Sequence, residues 1–115
     1  MIYSKNIKGY YYRNDPLNAG ADSILLFDEN YINVVGVIYL TPDSKKLPAN
    51  CWDENGIPAL CLRYSSLLPL IDVLSNRDPV HIEAELEGYS VKSASIVTRG
   101  CAVINDSGAV DRPFA

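Results

Sequence analysis

The chain has 115 residues, 48% of them apolar and 21% charged, with 10 basic against 14 acidic residues and a net charge of −4. That length supports one domain with its own core, and the composition excludes a disordered chain. Acids and bases are spread over both halves, so the balance weighs mildly against a polyanionic partner and mildly toward a cationic one.

No apolar run approaches the roughly 18 residues of a membrane span. With Met1 as the start, residues 1–10 lack the apolar segment and cleavage site of a secretory signal, so the chain reads as cytoplasmic. Cys51, Cys61 and Cys101 are an odd set without a CxxC pair, which fits reduced thiols rather than a disulfide framework.

Residues 2–13 mix Tyr3, Tyr10, Tyr11 and Tyr12 with Lys5, Lys8 and Arg13 and read as a first strand. Aromatics interleaved with bases can stack nucleobases and hold phosphates. The favoured reading is an edge or outer strand whose tyrosines pack their rings and leave their hydroxyls in water. Asn14–Gly20 is rich in turn formers. Ser23–Phe27 is a short strand or the first half of a longer one, with Asp28–Asn30 then a turn or bulge. Tyr31–Thr41 is apolar at both parities, as a central strand covered on both faces would be, and Gly36 within it marks a bend, a bulge or a close approach.

Pro42–Gly56 is a long connection, and length of that kind usually has a use. Trp52 within it either plugs the fold or, flanked by Asp53 and Glu54, anchors a partner. Ile57–Tyr64 is the next strand. Ser65-Ser66 and Pro69 then open a helix near 66–75 in which Leu67, Leu70, Ile71 and Leu74 recur at helical spacing.

Val80, Ile82, Ala84 and Leu86 alternate with His81, Glu83, Glu85 and Glu87, a strand with one face on the core and the other in water. Gly88–Ser90 turns the chain, and Ala94–Ile104 returns as its antiparallel partner. Residues 1–104 therefore read as one β-barrel-like domain, and 105–115 as a loose tail.

The predicted fold is mainly β, a small OB-like barrel of five or six antiparallel strands with one short helix. The runs Ile32–Val37, Leu60–Tyr64, Val80–Gly88 and Cys101–Ile104 resemble the small OB-fold proteins with a tRNA-anticodon-binding-like domain. The likeness covers about residues 31–104 as a strand pattern with sparse Gly and Cys positions. Asp78-Pro79 stands where the pattern would have a glycine turn, and the 42–56 connection is long for it. The resemblance implies binding rather than catalysis, and the ligand does not transfer with the fold.

Candidate chemistry is sparse. The cysteines and the single His81 lack the paired spacing of a zinc site, so no metal or cofactor is expected. His81 is the one imidazole that could activate a Cys51 nucleophile, and its parity points it outward. Glu83, Glu85 and Glu87 sit about 7 Å apart along one solvated face, which gives no environment to split their pKa values for acid–base work. There is no phosphate-cradling glycine loop, nucleophile elbow or HExxH motif. The chain reads as a non-enzymatic protein binder, an inhibitor or immunity-type protein that neutralises a basic toxin or nuclease through Trp52, Asp53, Glu54, His81, Glu83, Glu85 and Glu87. The alternative is a single-stranded nucleic-acid binder using Lys5, Lys8, Tyr10, Tyr11, Tyr12 and Arg13.

Overall fold

The computed structural model describes residues 1–13, 22–29, 32–52, 56–88, 90–99, 101–105 and 108–109. The turn at 14–20, Asp53, Glu54 and the tail from 110 onward lie outside the described residues.

The first strand is two. β1 (Ile2–Ile7) and β2 (Gly9–Arg13) are separated only by Lys8, where the chain leaves one sheet and enters the other. β3 (Ser23–Phe27) and β4 (Val34–Thr41) follow as a hairpin closed by Asp28, whose backbone N–H donates to Asn33 O at 3.0 Å. The two-residue β5 (Cys51–Trp52) breaks the long connection before β6 (Pro58–Arg63). A 3-10 turn at Tyr64–Ser66 leads into α1 (Leu67–Asn76). β7 (Val80–Glu87) and β8 (Ser90–Thr98) form the expected ribbon. The return run then divides, because Arg99 takes a left-handed φ of 53° and β9 (Cys101–Asn105) turns back along β8. β10 (Gly108–Ala109) pairs in turn with β9 inside the stretch expected to be loose.

These strands make two five-stranded sheets, β1-β7-β8-β9-β10 and β2-β3-β4-β6-β5, which we call sheet A and sheet B. The chain is mainly β with one short helix, as expected. Among the described residues the expected closed barrel is replaced by two separate sheets. Among the described residues ten strands form rather than five or six, and not all pairs are antiparallel, since β4 and β6 run parallel. The connection at 42–56 is the crossover that a parallel pair requires.

The core lies between the inner faces. Ile24, Leu26, Ile38, Leu40, Leu60 and Leu62 of sheet B meet Ile82, Ile96 and Ile104 of sheet A, all fully buried. Leu70 and Val73 of α1 join the same cluster. Ser66 stands at the helix N-cap without a side-chain hydrogen bond, so the preceding 3-10 turn, not a capping hydroxyl, starts the helix. Gly36 marks a close approach: a Cβ there would lie 2.8 Å from Ile82 Cδ1. It also adjoins a bulge, for Leu26 faces Gly36 while Phe27 faces Val34, leaving Val35 as the extra residue. The Val35 carbonyl accepts a 2.7 Å hydrogen bond from the Tyr3 hydroxyl, which ties β1 to β4.

Candidate functional site

β7 builds the outer face of sheet A by simple alternation. Val80, Ile82, Ala84 and Leu86 are buried, while His81 and Glu83 are half-buried and Glu85 and Glu87 are exposed. Small polar side chains flank the carboxylates on the β8 side. Glu83 is paired with Ser4 on β1 and Ser95 on β8, and Glu85 with Ile2 and Ser93. Glu83 thus stands between two small side chains, while Glu85 has the exposed Ile2 on its β1 side.

The row is not wholly acidic. His81 Nε2 lies 3.3 Å from Glu83 Oε1. Lys92 is the extra residue of a bulge between β7 and β8, and its Nζ lies 3.9 Å from Glu85 Oε1. Exposed pairs of this kind contribute little to stability. The face thus carries three carboxylates against one lysine and one histidine. Sequence reasoning found the three glutamates and His81. It missed Lys92, and the spacing of Ser93 and Ser95 in the same parity was the available signal for the low flank. Ser4 had none, since its pairing with Glu83 spans most of the chain.

Among the described residues, the other expected site residues do not join this face; Asp53 and Glu54 lie outside that set. Trp52 is half-buried, packs on the core and sets its ring edge-to-face against Tyr3, with centroids 5.7 Å apart at 87°. Its connection is tied down as well: Arg63 Nη1 donates to the carbonyls of Asp43 and Lys45 at 3.1 and 2.8 Å, and Cys61 N–H to Asn50 Oδ1 at 2.9 Å.

The nucleic-acid candidates are scattered. Tyr10 and Tyr12 face inward; Tyr10 shares a 2.8 Å hydrogen bond with Ser75 of α1, and Tyr12 donates to Asp22 Oδ2 at 2.9 Å. Lys8 lies 3.6 Å from Asp78, and Lys5 stands on β1 in the other sheet. Only Tyr11 and Arg13 are exposed together on the outer face of sheet B, where Tyr39 also emerges.

Tyr64, the most perturbed group, and Tyr12 are half-buried beside the buried Asp22. The buried Asp22 carboxylate accepts from both Tyr12 and Tyr64. Burial first, and then the hydrogen bond to Asp22, pushes Tyr64 up to about 12 and raises Tyr12 in the same way. The Cys61 thiol is raised by burial and by nearby Cys51. Among the described residues no three His, Cys, Asp or Glu side chains gather as metal ligands would, and no helix is long and apolar enough to cross a membrane.

No protein family, no curated protein sequence and no solved structure matches this chain.

Proposed function

We propose that the protein is a non-enzymatic binder of a basic protein, an inhibitor or immunity-type protein acting in the cytoplasm on a cationic toxin or nuclease. The observation that carries the reading is the outer face of β7, where Glu83, Glu85 and Glu87 stand in a row with Ser95, Ser93 and Ser90 beside them on β8 and Ser4 beside Glu83 on β1. Such a face steers a cationic partner and aligns it, and contributes nothing to folding. Trp52 serves this reading as an internal support. The test is binding to basic proteins encoded beside this gene. A partner whose association slows steeply with salt, and whose activity falls on binding, supports the reading. Salt-independent association with all of them contradicts it.

A second reading, an OB-type domain binding single-stranded nucleic acid, draws on Tyr11, 60% exposed, with Tyr39, 40% exposed, and Arg13 on the outer face of sheet B. Aromatic platforms beside a cation stack bases without sequence preference. Micromolar or tighter binding of an oligonucleotide at low salt, lost in Tyr11→Ala, would favour it.

A further inference from the structure

β1 is the terminal strand of sheet A, six residues long, paired with β7 on one side. Met1 N–H donates to Leu86 O at 3.1 Å and Leu86 N–H to Met1 O at 2.8 Å, so these two form a hydrogen-bonded pair. Antiparallel pairs alternate, so Tyr3, Lys5 and Ile7 bond to β7 in the same way. The backbone N–H and C=O groups of Ile2, Ser4 and Asn6 consequently point to the open edge. A groove of about 490 Å³ runs along the strand there, with Tyr3, Lys5 and Asn6 on one side and Asp28, Glu29, Asn33, Val34 and Val35 on the other. Val34 and Val35 give the far wall an apolar stretch, and Glu29 is exposed on it. Tyr3, hydrogen-bonded to Val35 O, spans from one wall to the other.

We infer that this edge is a docking site for an extended segment of the basic partner, which adds to sheet A as a further strand; the inference rests on the partner being basic. Strand addition takes its affinity from main-chain hydrogen bonds and its specificity from alternate side chains. The incoming residue opposite Ser4 projects on the same face as Glu83, two strand spacings or about 9.6 Å away. Only the small Ser4 side chain lies between them, so a lysine or arginine at that position reaches the Glu83 carboxylate. The opposite parity faces Val34, Val35 and Tyr3 and suits β-branched residues. The segment therefore alternates basic with β-branched side chains. A second copy of this chain fits poorly. Its own β1 offers Ile2, Ser4 and Asn6 to the acidic face, none of them cationic, and brings Lys5, a charge on the inner parity of an edge strand, which discourages self-pairing.

The experiment selects random decapeptides on the full chain and compares the bound peptides on Ser4→Ala and Ser4→Pro. Proline removes only the N–H that points off the sheet, whereas alanine leaves the backbone intact. The expected result is peptides that alternate basic and β-branched residues, bind Ser4→Ala as they bind the unaltered chain, and lose at least tenfold on Ser4→Pro. In the unaltered chain, the same peptides should slow amide exchange at Ser4 and Asn6 at least tenfold, which decides the matter if Ser4→Pro does not fold. Peptides indifferent to Ser4→Pro that leave these amides unprotected, no peptides at all, or protection that rises with protein concentration alone would overturn the inference. A basic partner protein that needs Glu83, Glu85 and Glu87 but tolerates Ser4→Pro sinks the edge site and leaves the acidic face standing.

Discussion

Tyr64 shows how a single hydroxyl becomes a stability determinant. Its folded-state pKa stands near 12 against an ordinary 10.0. The folded protein therefore holds this proton more tightly than the unfolded chain does, and the resulting stability is fully present below pH 10. It is lost as pH rises from about 10 toward 12. Tyr64→Phe should flatten that decline and cost about 1.5–3 kcal/mol at neutral pH, since a hydrogen bond to the buried Asp22 carboxylate goes with it. Denaturant titrations of both proteins between pH 7 and 12 check both effects; parallel curves would contradict the assignment. The cysteines differ in the same manner. Cys51 is exposed, while Cys61 is buried with a raised pKa, so native alkylation should modify Cys51 first and reach Cys61 only on unfolding. Peptide mass mapping reads the order directly.

At the scale of elements, what could be read from the sequence was what is local. The alternation of Val80–Glu87 and the helical spacing from Leu67 to Leu74 each lie within one element, and both elements formed within a residue or two of the expected bounds. Two breaks were missed although the sequence has a glycine at each, Gly9 and Gly100. Lys8 divides β1 from β2, and only the exchange of one sheet for another reveals it. The β8–β9 turn hid because Arg99, not a glycine, takes the positive φ on its first side. Gly36 was legible as special, and its reason, the approach of Ile82 from the other sheet, is tertiary. Gly36→Ala should cost about 1 kcal/mol as the Ile82 side chain shifts to make room. Trp52→Ala should cost about 2 kcal/mol, because a half-buried ring that fills the space beside Tyr3 is lost. Thermal unfolding measures both, and an unchanged Trp52→Ala protein would restore the ring as a solvent-facing anchor.

For the whole molecule, strand order was the part the sequence withheld. Local patterns name strands without naming their partners, and the pairing of β1 with β7 or β4 with β6 joins residues far apart in the chain. Two sheets with a shared core leave two outer faces of opposite character. Sheet B presents Tyr11, Leu25, Phe27 and Tyr39, and sheet A presents the glutamate row among serines. The acidic residues were legible by parity alone, but the pairing of Ser4 with Glu83 and the open edge beside it come only from the register. The proposed function depends on that face, and the rate at which a basic partner associates tests it most directly. With Glu83, Glu85 and Glu87 all changed to Gln, the fold should persist, association at low salt should slow at least tenfold, and its salt dependence should flatten. An unchanged association rate at low salt would show that the row is only a solvated surface.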